Sequence, residues 1–165
     1  MTSYPLGFQI ARAVAITGAG WLGGNIASLS LIAAPAMVES FQKDNVPSAQ
    51  VARQWKNLTP PLAAAVGSAF LYLAWAVRSG TPLFKQTSIS QSALFSAAAA
   101  LCISIVPYTL VVMKKTNDAL AMKGSSKSES DSDLVGLLQR WGTLNQLRGV
   151  FPTAAAICGL VAAFL

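Results

Sequence analysis

The sequence predicts an all-α fold, a four-transmembrane-helix bundle forming one membrane-embedded domain over residues 1–165. Three observations carry that expectation. Apolar residues make up 53% of the chain and charged residues only 11%, under half the charge usual in a soluble domain. Mean hydropathy is +0.51, which excludes disorder for most of the chain, because disorder requires low hydrophobicity. The apolar residues also fall into four long blocks separated by polar or basic connections.

A helix needs roughly 20 residues to cross about 30 Å of hydrocarbon. The first block, about 8–34, carries Arg12 as its only charge. The second, about 60–79, opens on Pro60 and Pro61, which suit a first helical turn where a missing N–H costs little, and reaches Arg78. The third, about 92–113, is uncharged and stops at Lys114-Lys115. The last apolar run, Val150 to Leu165, has 16 residues, or about 24 Å of helix. That is short for a span, so the fourth helix is expected to begin near Leu134 and to draw Trp141, Asn145 and Arg148 into the bundle. Between the third and fourth helices, residues 123–133 contain the run GSSKSESDSD, expected to be a mobile polar loop. The first run is too long for a cleavable signal peptide, and no internal repeat is visible.

Composition removes several classes of chemistry. The chain has no histidine, hence no imidazole base and no histidine ligand for a catalytic zinc or a haem. Cys102 and Cys158 lie inside apolar runs and read as small hydrophobes, not as a disulfide framework or a metal site. The net charge of +6 reads as basic membrane-flanking loops and not as nucleic-acid binding. Lys43, Arg53, Lys56, Lys114, Lys115, Lys123, Lys127 and Arg140 flank the first and third connections, against Arg12, Arg78 and Lys85 on the other side. The Lys/Arg bias therefore expects an integral, multi-pass protein with connections one and three cytoplasmic. On that topology the sequon at Asn57 faces the cytosol.

Gly18, Gly20 and Gly23 satisfy G-x-G-x-x-G, with Glu39 near the place of a ribose-binding acid. A dinucleotide site would need a strand before the glycines and a parallel sheet after them. Three further apolar blocks follow instead, so the glycines read as helix-packing positions, with Gly20 and Gly24 spaced for close approach.

Polar residues inside membrane helices are costly and often functional. Trp141, Asn145 and Arg148 are spaced i, i+4, i+7 and share one helix face. The third helix ends at the same level with Pro107, Tyr108 and Thr109, then Thr116, Asn117 and Asp118. Pro107 cannot donate to Ile103, which predicts a kink. The first helix leaves through Asn25, Ser28, Ser30 and Pro35, and the second enters after Arg53 and Trp55. Trp55, Trp141 and Tyr108 also suit an interfacial belt, Arg148 also suits snorkelling to headgroups, and Asp118 also suits a solvated loop charge. Convergence of all of them at one level favours a site.

These residues resemble the anthrone oxygenases of fungal polyketide pathways, small four-helix membrane proteins with many relatives of unknown activity. The resemblance spans nearly the whole chain. It rests on Ser28-Leu29-Ser30 with Pro35-Ala36, Arg53-Gln54-Trp55, Pro107-Tyr108-Thr109, Thr116-Asn117-Asp118-Ala119-Leu120, and Trp141 with Asn145 and Arg148. It implies a monooxygenase of secondary metabolism that oxidises an anthrone to an anthraquinone with molecular oxygen. It also implies an endoplasmic-reticulum or other endomembrane location, no cofactor and no metal. The expected partners are a small aromatic polyketide, oxygen and lipid, with room for a homo-oligomer. In this reading Arg148 steadies the substrate anion, Asn145 and Asn117 orient its oxygens, Tyr108 relays a proton and Asp118 is the nearby carboxylate. Trp141, Trp55, Thr109 and Ser30 line the ring site. The competing expectation is a non-enzymatic four-helix membrane scaffold or assembly protein.

Overall fold

A computed structural model describes the backbone of residues 4–44, 49–123 and 131–165, and the side chains of residues 4–39, 59–122 and 134–165. The described residues are helical, without a strand. Helix α1 (Leu6–Ser28) passes through a π-helical turn (Leu29–Ala33) into α2 (Ala34–Asp44). Helix α3 covers Ala49–Ala76. Helix α4 (Gln91–Pro107) passes through a second π-helical turn (Tyr108–Val112), and α5 (Lys114–Lys123) follows. Helix α6 (Asp131–Phe164) is the longest.

Four segments are long and apolar enough to cross a membrane: Leu6–Glu39, Thr59–Ala76, Gln91–Val112 and Leu134–Phe164. Helix α1 packs on α3, α3 on α4, α4 on α6, and α6 back on α1, closing a ring of four. The side chains are distributed as lipid demands. The interior is rich in small residues, with Ala15, Ala19, Ala63, Ala98, Ala99 and Ala155 fully buried, while Leu6, Trp21, Leu31, Trp75, Val111 and Ile157 face outward. Lipid tails are as apolar as leucine, so large side chains gain little by burial, and helices associate through close backbone approach.

Several element boundaries differ from expectation. Pro60 and Pro61 lie inside α3, not in its first turn, because the helix already begins at Ala49. Two missing N–H groups weaken the ladder there without ending it. The first helical unit continues to Asp44, and α6 starts at Asp131, three residues before Leu134. The expected disturbance at Pro107 takes the form of the π-helical turn that begins at the next residue, closed by Met113 N–H donating to the Tyr108 carbonyl at 3.2 Å. Residues 124–130 of the expected mobile loop, and the Asn57 side chain, lie outside the described residues.

The glycine expectation is corrected in detail. Gly20 and Gly24 are exposed, and a Cβ at either would meet nothing within 4 Å. The close approaches are made elsewhere. A Cβ at Gly18 would stand 2.8 Å from Val66, at Gly23 2.5 Å from Thr153 and at Gly159 2.6 Å from Phe70. The G-x-G-x-x-G run is therefore a helix whose alternate glycines admit neighbouring helices, with no strand preceding it. Helix α3 ends in a loop in which Gly80 takes φ 87, a backbone conformation suited to glycine. Ser90 then caps α4 by accepting from Ala93 N–H at 3.3 Å, as N-cap hydroxyls do.

Candidate functional site

Most of the buried polar groups gather at the end of the bundle where both π-helical turns lie. Each turn carries one buried hydroxyl residue, Ser30 in the first and Thr109 in the second. Each hydroxyl donates to the carbonyl four residues back, Ser30 Oγ to Ile26 at 2.8 Å and Thr109 Oγ1 to Ile105 at 2.7 Å. Spending the hydrogen on the helix's own backbone makes the residue affordable in an apolar interior and leaves the oxygen as an acceptor.

Arg148 projects from α6 into this interior and is 3% exposed. Its Nη1 donates to Thr109 Oγ1 at 3.1 Å, and its Nη2 donates to Asn145 Oδ1 at 2.5 Å. Asn145 is fully buried and is itself held by its Nδ2 donating to the Trp141 carbonyl at 3.1 Å. The i, i+4, i+7 spacing thus does what it predicts: Trp141, Asn145 and Arg148 share the buried face of α6. Trp141 is buried among Leu29, Ala34, Met113, Leu120 and Leu138. Tyr108 donates its hydroxyl to the Leu144 carbonyl at 3.3 Å and sets its ring edge-on to Phe151 at 5.5 Å.

The guanidinium is bound on two sides by neutral acceptors, and its Nε–H is buried with no partner. Among the described residues no carboxylate pairs with it. A buried cation without a counter-charge is expensive, and an unpartnered buried donor adds to the cost. The arrangement is suited to receive an anion with an oxygen acceptor.

Other expected residues lie elsewhere. Asp118 is on α5, its side chain 44% exposed, bonded to Lys114 Nζ at 2.8 Å. That bond raises the lysine's pKa above its ordinary value and keeps the carboxylate at the rim, away from the guanidinium. Asn117 is half-buried on the same helix, and its side chain makes no hydrogen bond among the described residues. The Trp55 and Arg53 side chains lie outside the described residues. Ser30 lines a different space: a cavity of about 390 Å³ between the first π-helical turn, α2 and α6. Its walls include Glu39, Gln139, Thr143 and Gln146, residues that the sequence reading did not single out as a group. Their signal was present, because Gln139, Thr143 and Gln146 repeat the i, i+4, i+7 spacing of the buried triplet, two residues out of phase. Among the described residues no group of three histidine, cysteine, aspartate or glutamate side chains stands together as a metal site would.

The chain as a whole is similar to known proteins. A family model described as anthrone oxygenase matches residues 49–158. Anthrone oxygenase encC of Aspergillus fumigatus is 32% identical, covering 93% of this chain and 92% of its own. Noranthrone monooxygenase of Aspergillus flavus is 27% identical, over 90% of this chain and 70% of its own. Monooxygenase hypC of Dothistroma septosporum is 26% identical, over 86% of this chain and 76% of its own. No solved structure matches.

Proposed function

Since this chain belongs to the anthrone oxygenase family, we propose that it oxidises a polyketide-derived anthrone to the anthraquinone with molecular oxygen, without a cofactor, in an endomembrane. The observation that carries this reading is the buried Arg148 guanidinium with no carboxylate partner among the described residues and a free Nε–H.

The chemistry follows from the substrate. The central methylene of an anthrone is acidic because its carbanion is delocalised onto the ketone oxygen as a phenolate-like anion. A fixed positive charge beside that oxygen favours the ionised form and lowers the barrier to reaching it. The carbanion passes an electron to oxygen, the two radicals join as a carbon-bound peroxide, and loss of water leaves the second carbonyl. One oxygen atom enters the product and the other leaves as water. The electrons come from the substrate's own methylene, so no flavin or metal is required.

Arg148 holds the anionic oxygen in this scheme. Thr109 and Asn145 act by orienting Arg148, since both are already committed to it and to the backbone. Trp141 and Trp55 are assigned the ring face, Tyr108 the proton relay, and Asn117 a hydrogen bond to a further substrate oxygen. Asp118, paired with Lys114 at the rim, is the weakest of the expected assignments. The basic connections one and three face the cytoplasm in this reading, and a glycan found at Asn57 would reverse it.

The test uses membranes containing the protein, supplied with emodin anthrone under air. Quinone should form well above the spontaneous rate, and Arg148→Leu should return it to that rate, a loss on the order of 100- to 1,000-fold, with protein still present in the membrane. Near-normal turnover in Arg148→Leu would overturn the mechanism, and background turnover by the unaltered protein would favour a scaffold.

A further inference from the structure

The bundle end opposite Arg148 carries cations and no acidic side chain. Every Asp and Glu of the chain falls within 39–44 or 118–133, at or just past the ends of the first and third spans. The starts of those two spans meet at the other end. There Tyr4 donates its hydroxyl to Gln91 Oε1 at 3.3 Å, and Gln91 Nε2 donates to the Ala162 carbonyl at 3.0 Å. Arg12, Arg78 and Lys85 belong to this end.

Tyr4 organises these charges. Its ring stacks on Phe8 at 4.5 Å. Two cations share it: Lys85 Nζ stands 4.7 Å from the ring centre and the Arg12 guanidinium carbon 5.6 Å from it. Arg78 stands 5.3 Å from the Trp75 ring in the same way. A ring attracts a cation but offers no oxygen acceptor, so the N–H donors remain open. Among the described residues none of the three cations makes a salt bridge or a side-chain hydrogen bond. Two like charges on one ring repel, and one anion between them relieves that repulsion.

The connection bearing Lys85 is well tied. Thr81 Oγ1 donates to the Ala76 and Arg78 carbonyls at 2.8 and 2.7 Å, Phe84 N–H donates to the Thr81 carbonyl at 3.1 Å, and Leu83 packs on the core. Its depth follows from the spans on either side. The second ends at Ala76 and the third begins at Gln91, so the connection lies where hydrocarbon gives way to headgroups. Arg12 starts inside the first span, yet its charge reaches back to Tyr4, which precedes that span, as a snorkelling side chain does. Trp75 and Phe84 are exposed beside Arg78 and Lys85, which gives the cations apolar neighbours that a soluble anion would not use.

We propose that Arg12 and Lys85, brought together across Tyr4, bind the phosphate of a glycerophospholipid whose headgroup is net negative. Arg78 supplies a further contact to that headgroup, and the exposed rings meet its glycerol and acyl chains. A zwitterionic headgroup brings its own cation to the same place and binds more weakly. The site is independent of Arg148 and of the reaction assigned to it.

The test is native mass spectrometry of the full chain, released from detergent containing equal phosphatidylglycerol and phosphatidylcholine of matched acyl chains. The unaltered protein should retain phosphatidylglycerol about thirtyfold over phosphatidylcholine, Lys85→Gln should reduce that preference about fivefold, and Arg12→Gln with Lys85→Gln should abolish it. Lys85 is exposed, so its single variant reports on binding even where the double variant fails to fold. Lys85→Arg should keep the preference, which separates charge from packing. Lys115→Gln with Arg140→Gln, exposed cations of the opposite end, should also keep it. Equal retention of the two lipids, an unchanged preference in Lys85→Gln, or its loss in the Lys115 and Arg140 variant would overturn the proposal. So would displacement of the lipid by excess inorganic phosphate, which would make this a site for the free anion.

Discussion

The two hydrophobic clusters of this bundle are built on opposite plans. The larger joins all four spans with alanines and the rings of Phe8, Phe70 and Phe95, and helices approach through Gly18, Gly67 and Gly159. The smaller surrounds Trp141 with Leu29, Met113, Leu120 and Leu138, and it lies at the end where Ser30, Thr109, Asn145 and Arg148 are buried. The first is a clamp in which shape decides everything. The second tolerates polarity because Ser30, Thr109 and Asn145 each bond to a helix carbonyl, and the last two to Arg148 as well. The comparison teaches that tight apolar packing and buried polarity are housed in different halves of one short bundle, and each half should therefore fail in its own way.

Phe70→Ala should break the clamp alone. Phe70 is fully buried, and the cavity should cost about 3 kcal/mol, read as earlier unfolding in a thermal or detergent titration. Activity per folded molecule should stay near normal. Asn145→Leu should strike the site instead, removing an acceptor from the guanidinium and lowering kcat per folded molecule by about 100-fold, while the stranded buried donor costs about 1–3 kcal/mol of stability. Thr109→Val should lower kcat about tenfold, by the loss of a single hydrogen bond to a charge, and Thr109→Ser should restore it. Rescue by serine separates a role through the hydroxyl from one of bulk. The smallest effects should come from Gly20→Ala and Gly24→Ala, which face open space and should shift stability by less than about 1 kcal/mol. A large loss at either would mean that a further helix covers that face.

Much of this was legible in the chain. Block length and charge gave four spans, and the spacing of Trp141, Asn145 and Arg148 placed them on one buried face. Period alone does not say which face of α6 is buried, because apolar residues surround that helix, so it does not set the exposed stripe at Gln139, Thr143 and Gln146 apart from the buried one. Pro60 and Pro61 read as a helix start because local chemistry favours proline there, yet tertiary packing carries α3 through them. Asp118 stood beside the site in sequence, but its α5 partner Lys114 draws it to the rim. The π-helical turns left no propensity signal beyond the neighbouring Pro35 and Pro107.

Those turns bear on how the chain tolerates changes in length. In an ordinary α-helix each residue advances the chain by about 100°, so excising one swings all that follows to another azimuth. Within Leu29–Ala33 and Tyr108–Val112 the surplus residue is already absorbed by the wider winding. Removing Leu110 should restore α winding and keep Met113 and Leu120 in phase with the bundle, with loss of the bond between Arg148 and Thr109. Such a shortened chain should assemble normally and turn over about tenfold more slowly, as for the loss of a single hydrogen bond to a charge, which makes these two windows the places where a one-residue gap is best tolerated.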